Sequence, residues 1–370
     1  MKKKILNYIC EVNFPNTSAY SIHVTKICDA FTSENLIVNL FVPNSTVNNK
    51  EIKRIYNLKN VINIKSIFKK KTKLNFFFIL IFVIKIIISQ KKELNNEHLY
   101  LTRSILFGII GSIFFKNIIL ELHHEPIGFT GIIFYFLKKT KIIDKLRFIF
   151  IHKNLIDKIE PKLNSFICLD DGVNIDDYKI KKSKKKYKNT CVYIGSFHKG
   201  KGFNLIHQLS IECPKIQFHL YGDSSFLTNK ISRENIKFFN YIEYKLVPKV
   251  LSKYEVAIMP YEKIVGARSK NLNITNNMSP IKMFDYLASK KIILATNLKV
   301  YNHILKNKFN SILINSENIL EWKKNIIDIF QNARKYKYLK YNAYNTAKKF
   351  TWNNRAKKIL VFFNKSLNAK

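Results

Sequence analysis

The chain alternates short apolar segments with longer segments whose apolar residues recur every three or four positions, and this pattern occurs twice. Residues 4–10, 36–42 and 118–122 are strand candidates, and residues 19–31 between the first two have helical spacing. The polar, lysine-rich segment 179–189 interrupts the pattern, which then resumes. Because strands that alternate with helices form parallel sheets covered by helices, we predict two doubly wound, Rossmann-like α/β domains.

The predicted elements place the domain boundaries. Strands are expected at residues 4–10, 36–42, 61–67, 98–101, 118–122, 163–169, 191–194, 216–221, 236–239, 256–259 and 292–295. Helices are expected at residues 19–31, 75–89, 104–115, 203–209, 244–252 and 280–289, over most of 131–150 and in the tail after residue 336. We therefore expect domains at residues 1–171 and 172–345, with residues 346–370 as a terminal helix that packs back on the first domain. Segment 179–189 is the best candidate for the linker. Ligands of such sheets bind at the carboxyl ends of the strands, here in a cleft that the two domains face.

The net charge of the chain is strongly positive. Lysine and arginine number 64 against 25 acidic residues, which gives a formal charge of +39. Such a charge attracts nucleic acids, anionic membranes or phosphorylated substrates. Lysine is also spread along the whole chain with asparagine and isoleucine, as a compositional bias would produce, so both interpretations stay open. No RNA-binding motif accompanies the charge, and we expect no nucleic-acid partner.

The cysteines and the apolar segments indicate neither secretion nor a membrane span. The five cysteines are an odd number without short spacing, which indicates free thiols in a reducing cytoplasm. The apolar stretch 5–10 is too short for the core of a signal peptide. The apolar segment 74–89 is interrupted by Lys85 and is shorter than the roughly 20 residues of a spanning helix. It indicates a core helix or a helix that lies on a membrane surface.

A glycine-rich turn is the first candidate site. The chain has only ten glycines, and three of them, Gly195, Gly200 and Gly202, lie within eight residues between a predicted strand and a predicted helix. Glycine permits positive φ and close backbone approach, and a helix N-terminus offers free N–H groups to an anion. Lys199 and Lys201 add positive charge. The turn matches neither a P-loop nor a dinucleotide fingerprint, so an ordinary turn between strand and helix is the alternative.

The second candidate site is the start of the helix predicted at residues 280–289. Ser279 is a favourable N-cap and Pro280 suits the first helical position. Lys282 then faces the positive end of the helix dipole, which costs about 0.3–1 kcal/mol unless an anion is bound there. Asp285, one turn after Ile281, could accept a hydrogen bond from a hydroxyl beside that anion. The alternative is that Lys282 points into solvent.

The sequence around this helix resembles a known family. SPIKMFDYLASKKIILATNL resembles the C-terminal signature of family-4 (group 1) retaining glycosyltransferases of the GT-B fold. Further ordered matches cover most of the chain: NTSAYSIHVTKICDAF, LYLTRS, LELHHEP, DDGVNIDDY, YIGSFHKGKGFNLI, VAIMPYE and AKKFTWNNRAKKIL. The resemblance implies an N-terminal acceptor-side domain and a C-terminal domain that binds a nucleotide sugar.

The resemblance also implies an activity and a set of site residues. The expected reaction moves a sugar from a UDP- or GDP-linked donor to a hydroxyl of a glycan, lipid-linked sugar or other polysaccharide precursor, with retention and without a cofactor or divalent metal. The implied roles are diphosphate binding for Lys201, Ser279, Pro280, Ile281 and Arg268, ribose binding for Asp285, and a catalytic position for His123. Asn277 is expected near the donor sugar, and Ser18 and Arg103 on the acceptor side. The expected location is the cytoplasm, with peripheral contact to an anionic membrane as an option.

The sequence departs from the family pattern at several positions. Asn277 replaces the first glutamate of the family's E-x7-E motif, Ser196 replaces an arginine, and Lys290 replaces a glycine. These departures keep a nucleotide-sugar epimerase, a hydrolase or a degenerate sugar-binding protein of the same fold open as alternatives. His123 and His124 with flanking carboxylates could also bind a metal, although no third ligand is spaced nearby.

Overall fold

The structure is a computed structural model that describes residues 4–70, 73, 75–91, 98–180, 183, 185–223, 225, 233–266 and 273–367. It divides into two compact units. The first unit is formed by the chain up to Asp170 and from Trp352 onwards, and the second by Asp171–Thr351. The lysine-rich segment 179–189 lies inside the second unit, where the backbone N–H of Tyr187 donates to the carbonyl of Lys253. The change of unit therefore falls before this segment.

The described elements follow the predicted alternation of strands and helices. The strands are β1 (Ile5–Ile9), β2 (Ile37–Val42), β3 (Asn63–Ser66), β4 (His98–Thr102), β5 (Ile118–Leu122), β6 (Phe148–Phe150), β7 (Phe166–Cys168), β8 (Thr190–Ile194), β9 (Gln217–Tyr221), β10 (Ile236–Phe239), β11 (Val256–Met259), β12 (Ile292–Thr296) and β13 (Ile312–Ile314). The helices are α1 (Ala19–Ser33), α2 (Asn49–Tyr56), α3 (Phe76–Lys91), α4 (Ile105–Phe114), α5 (Phe129–Lys139), α6 (Asn154–Ile159), α7 (Phe203–Glu212), α8 (Val247–Leu251), α9 (Ile281–Ala288), α10 (Ile319–Gln331), α11 (Lys337–Ala347) and α12 (Trp352–Leu367).

Within the described residues, the first unit contains a parallel sheet of seven strands in the order β3-β2-β1-β4-β5-β6-β7. Successive side chains of a strand point to opposite faces, so each strand supplies both cores. On β1, Leu6 and Tyr8 pack with α1, α2 and α12, whereas Ile9 packs with α3 and α4. The sheet is therefore covered by helices on both faces, and the terminal helix α12 packs against α1.

The second unit repeats this design. Its described strands form a parallel sheet of six in the order β10-β9-β8-β11-β12-β13. Val192 and Cys191 of β8 point to opposite faces, the first towards α9 and α11 and the second towards α7 and α10. The prediction of two doubly wound parallel-sheet units is thus confirmed.

Some elements differ from the sequence-based prediction. Residues 131–150 were predicted to be mostly helical, but α5 ends at Lys139 and Phe148–Phe150 is a buried strand between β5 and β7. A three-residue strand buried on both faces is too short to show a period. The sequence pattern also does not predict the short helix α6 and the short strand β13. For α2 a signal was present, because Asn48 and Glu51 form a capping box.

Among the described residues, no helix combines the length and the apolar character that crossing a membrane requires.

Candidate functional site

The glycine-rich turn after β8 lies against the segment that follows β11. Gly200 has a φ of +78°, and a Cβ there would lie 1.9 Å from the carbonyl oxygen of Ile264. The backbone N–H groups of Glu262 and Gly266 donate to the carbonyls of Gly200 and Lys199, both at 3.0 Å. Close packing against the segment after β11 is therefore sufficient to explain the glycine at position 200. The same contacts hold the turn, and with it Lys201, in a fixed position.

Two lysines come together beside this turn, one from the turn and one from the first turn of α9. The Nζ of Lys201 lies 5.1 Å, and that of Lys282 5.3 Å, from the centre of the Tyr261 ring. The Nζ of Lys282 also lies 3.8 Å over the ring of Tyr193. A Cβ on Gly195, whose φ is +153°, would approach that Nζ to 2.3 Å. The interpretation in which Lys282 points into solvent is therefore wrong.

Neither lysine has a carboxylate as an ion-pair partner among the described residues. Within the described part of the chain, the buried Nζ of Lys282 has no hydrogen-bond partner. Burial and the nearby Lys201 hold the pKa of Lys282 well below its usual range, although Asp285 acts in the opposite direction. Burial lowers the pKa of Lys201 to about 8. Two buried amino groups beside a helix N-terminus, whose charged forms an anion would favour, form a site suited to an anion with several negative charges.

The helix α9 begins one residue later than the sequence indicated. It starts at Ile281, with Pro280 in the N-cap position and no side chain capping it among the described residues. The prediction that Ser279 caps this helix is wrong, because its hydroxyl accepts a hydrogen bond from the backbone N–H of Asp171 at 3.0 Å. Ser279 thus ties α9 to the first residue of the second unit.

Asp285 is a buried residue of α9 with defined partners. Its Oδ1 accepts hydrogen bonds from the hydroxyls of Tyr178 at 2.7 Å and Tyr244 at 2.8 Å. Burial and the carboxylate raise the pKa of both tyrosines well above the usual value, so both hydroxyls stay protonated and donate. Asp285 is therefore not a solvent-exposed carboxylate of a helix surface. The two tyrosines could not be recognised from the sequence, because neither lies near Asp285 along the chain.

Of the two remaining site residues predicted in the second unit, the structure describes Asn277 but not Arg268. Asn277 is buried, and its Oδ1 has no hydrogen-bond partner among the described residues. A buried amide oxygen without a partner is rare in proteins and is a candidate ligand contact. Arg268 lies outside the described residues.

The first unit carries its candidate residues at the carboxyl end of β5. The Nε2 of His123 lies 2.6 Å from the Oε1 of Glu121, and that of His23 on α1 lies 3.0 Å from the same oxygen. Arg355 on α12 donates to this oxygen at 2.7 Å. Burial alone would raise the pKa of Glu121, but His23, Arg355 and His123 hold it well below its usual range. Glu121 is therefore an ionised carboxylate.

His123 is neutral in this setting. Burial and Arg103 lower the pKa of His123 to about 3, even though Glu121 acts in the opposite direction. An ionised carboxylate only accepts hydrogen bonds, so the Nε2 of His123 carries the proton and Nδ1 is left as an acceptor. His123 can therefore accept a hydrogen bond from a hydroxyl.

The two acceptor-side candidates lie on different elements of the first unit. Arg103 follows β4, and its guanidinium lies 3.9 Å over the ring of Tyr20. Its effect on the pKa of His123 places it in the same neighbourhood. Ser18 is the N-cap of α1, where its hydroxyl accepts from the backbone N–H of Ser21. The position of Ser18 is thus explained by helix capping.

The fold supplies the third potential metal ligand that the sequence did not place near His123. The ligand atoms of His23, Glu121 and His123 lie within 4.8 Å of one another. The donor set fits a cation poorly, because the guanidinium of Arg355 is bonded to the same oxygen that the histidines approach. We assign no metal to this cluster. The sequence alone could not place His23 in this cluster, because almost a hundred residues separate His23 from Glu121.

The chain is similar to known glycosyltransferases in part of its sequence and in its fold. Residues 174–346 match the family model described as glycosyl transferases group 1. No curated protein sequence matches the chain. Among solved structures, a glycosyltransferase from Rickettsia africae ESF-5 is 12% identical with a TM-score of 0.75, and both chains are fully covered.

Two further structures have similar scores. Anabaena Alr3699/HepE in complex with UDP and glucose is 12% identical, with a TM-score of 0.70 over 97% of this chain and 100% of the other. A sucrose-phosphate synthase from Thermosynechococcus elongatus is 11% identical, with a TM-score of 0.70 and full coverage of both chains. The chain has the GT-B fold, and the family match over its second unit supports a glycosyltransferase.

Proposed function

We propose that the chain is a retaining glycosyltransferase that transfers a sugar from a nucleoside diphosphate sugar to a hydroxyl acceptor. The observation that carries this proposal is the pair of desolvated lysines, Lys201 and Lys282, at the N-terminus of α9. The match of residues 174–346 to group 1 glycosyl transferases supports it, because this region contains the pair. The relative named Alr3699/HepE was solved with UDP and with UDP-glucose, which favours a UDP-linked donor.

The proposed role of the lysine pair is to stabilise the leaving diphosphate. Negative charge develops on the diphosphate as the bond to the sugar breaks, and fixed positive groups lower the barrier without having to reorganise. Lys201 and Lys282 supply two ammonium groups, and the backbone around Ser279, Pro280 and Ile281 brings the positive end of α9 to the same place. Binding of the anion would also compensate the cost of burying these charges. Arg268 is a further candidate for this role.

Asp285 is proposed to recognise the ribose of the donor. It lies on the same helix as Lys282, one turn further from the N-terminus. The ribose of a nucleoside diphosphate is bonded directly to the diphosphate, so the two groups are also neighbours in the ligand. Tyr178 and Tyr244 hold its carboxylate in one orientation through Oδ1. Asn277, whose amide oxygen is buried without a partner in the described chain, is proposed to contact the donor sugar.

His123 is proposed to orient a hydroxyl of the reacting sugars. Its Nδ1 accepts a hydrogen bond, and Glu121 keeps the proton on Nε2 so that this acceptor stays available. Arg103 and Ser18 are proposed on the acceptor side. The reaction as proposed uses no protein nucleophile, cofactor or metal, and the acceptor is a glycan, a lipid-linked sugar or another polysaccharide precursor. The free cysteines agree with the proposed location in the cytoplasm.

A donor screen followed by turnover tests the proposal. Thermal shift with UDP- and GDP-linked sugars selects the donor, since a ligand at 100 times its Kd stabilises by about 2.7 kcal/mol. Release of the nucleoside diphosphate is then measured with and without glycan acceptors. Release that needs an acceptor supports the transferase, whereas equal release without any acceptor would identify a hydrolase.

Calorimetry with variants tests the site itself. Lys201→Ala should weaken UDP binding about tenfold or more, because a charge-assisted contact contributes about 1.5–3 kcal/mol. Lys199→Ala is the matched control, since Lys199 is an exposed lysine of the same turn. Asp285→Asn should weaken UDP binding but leave inorganic pyrophosphate binding unchanged, because its proposed partner is the ribose. Equal UDP affinity in the wild type and in all three variants would contradict the proposed diphosphate and ribose site.

A further inference from the structure

The helix α3 has apolar side chains on both of its faces. Phe82, Val83 and neighbouring residues are buried against the sheet of the first unit. On the opposite side, Phe77, Ile84 and Ile88 recur at helical spacing and are exposed, Phe77 by 64% and Ile88 by 62%. A helix that covers a core needs only one apolar stripe. The second stripe is not explained by the packing of this unit.

The neighbouring helices extend this stripe into one surface. On α5, Phe129, Ile132 and Phe136 share a face and are exposed, and Tyr135 lies beside them. The rings of Phe76 on α3 and Phe129 on α5 are in edge contact, with centres 4.8 Å apart. At the end of α4, which packs on α3, Ile113 is 76% exposed. We call the exposed apolar residues of α3, α4 and α5 the apolar face.

The charges around the apolar face are predominantly positive. The sequence segments 68–91, 105–120 and 127–143, which contain the three helices, have no aspartate or glutamate. They contain exposed lysines along the edges of the helices, among them Lys85, Lys91, Lys116 and Lys139. The Nζ of Lys91 lies 6.0 Å over the ring of Phe114, so charge and apolar surface are adjacent. One carboxylate lies at this border, since Glu160 pairs with Lys138 of α5 at 3.1 Å. Apolar residues bordered mainly by lysines match the interface of an anionic bilayer.

The charge pattern decides between the possible occupants of this surface. Monomeric proteins rarely expose a contiguous apolar surface of this kind without a partner. Two copies of the chain joined through the apolar face would bring together two borders in which lysines outnumber carboxylates. An anionic lipid surface can bind both the apolar side chains and the lysines. The apolar side chains enter the boundary of the acyl chains, while the lysine ammonium groups remain at the anionic headgroups. We propose that the apolar face binds the surface of an anionic lipid bilayer.

Vesicle binding measures this interaction directly. Cosedimentation compares vesicles of pure phosphatidylcholine with vesicles containing about 30% phosphatidylglycerol. We expect binding to the anionic vesicles at least tenfold stronger than to the neutral ones, and weaker binding as salt rises, since salt screens the lysines. Equal binding to both kinds of vesicle, or no binding to either, would overturn the proposal.

A triple variant tests the assignment to the apolar face. Phe77→Ser, Ile88→Ser and Phe136→Ser together should reduce affinity for anionic vesicles at least tenfold. The matched control is Ile211→Ser, Leu320→Ser and Val361→Ser, which removes three apolar side chains of similar exposure from α7, α10 and α12. The control should bind vesicles like the wild type. An equal loss in both variants would show that this surface is not the binding face.

Two further measurements keep the test independent of folding and of dimer formation. UDP calorimetry should give the same affinity in the triple variant and the wild type, so a failure of the donor-site proposal does not affect this one. Phe136→Trp should show a blue shift of fluorescence with anionic vesicles, because Trp322 and Trp352 are fully buried already. A dimer in solution that the triple variant converts to a monomer would overturn the proposal in favour of a second copy as the occupant.

Discussion

The two units both bury charged side chains, but they treat the charge in opposite ways. In the first unit, Glu121 has Arg355 at 2.7 Å, with two histidines beside it. In the second unit, Lys201 and Lys282 lie together against tyrosine rings, and within the described residues no carboxylate forms an ion pair with either of them. The first cluster is electrostatically closed, whereas the second consists of basic groups without a counter-ion among the described residues.

This difference distinguishes a cluster that supports the fold from a cluster that we propose to bind an anion. A closed cluster stabilises the folded unit and orients what is attached to it, here the imidazole of His123. An uncompensated cluster costs folding free energy, and a bound anion would compensate that cost. The same type of observation, a buried charge, therefore predicts opposite effects of mutation in the two units.

Breaking the closed cluster should have the largest effect on stability. Glu121→Gln leaves the guanidinium of Arg355 buried without its counter-ion, which should lower the free energy of unfolding by about 3–5 kcal/mol. Urea denaturation followed by circular dichroism measures it. Glu160→Gln is the control, because this glutamate pairs with Lys138 at the surface and should contribute less than about 1 kcal/mol. Similar losses in both variants would contradict the description of a closed cluster.

Removing charge from the open cluster should act in the other direction. Lys282→Met retains an apolar chain of similar length and removes a buried amino group that has no hydrogen-bond partner among the described residues. The free energy of unfolding without ligand should rise by about 1–3 kcal/mol. Lys199→Met, an exposed lysine nearby, should change it by less than about 0.5 kcal/mol. Destabilisation by Lys282→Met would mean that the lysine is an ordinary packing residue.

The pH dependence of UDP binding should sharpen the comparison further. Burial lowers the pKa of Lys201 to about 8 from an ordinary value of 10.5. A bound diphosphate favours the charged form and raises that pKa again, so binding takes up a proton and weakens as pH rises through 8.

The UDP phosphates keep a nearly constant charge above their second pKa of about 6. Affinity should therefore fall about tenfold between pH 7 and pH 9 in the wild type, and less in Lys201→Ala. A wild-type affinity that is constant over this range would show that Lys201 does not meet the diphosphate.

The sequence predicted the repeated fold well, because its strands and helices are long enough to show their periods. Helix α1 and strand β5 agree with the predicted bounds to within two residues. Strand β6 was assigned to a helix, since three buried residues between a helix and a loop carry no period. Helix α2 had a readable capping signal that apolar spacing alone does not reveal.

The candidate site was only partly predictable. Lys282 stood out because a lysine at a helix N-terminus is locally unfavourable, and this misfit does mark the lysine pair. The rings of Tyr193 and Tyr261, and the tyrosines bound to Asp285, depend on contacts between distant segments. Arg355 reaches Glu121 across 234 residues of sequence, which no local pattern encodes.

The most direct test of the account is a titration of UDP into the wild type and into the double variant Lys201→Ala/Lys282→Met at pH 7. Two charge-assisted contacts of about 1.5–3 kcal/mol each predict a loss of affinity of at least about a hundredfold in the double variant. Its unfolding free energy without UDP should be equal to or above that of the wild type. Unchanged UDP affinity in a folded double variant would contradict the claim that this lysine pair is the diphosphate site.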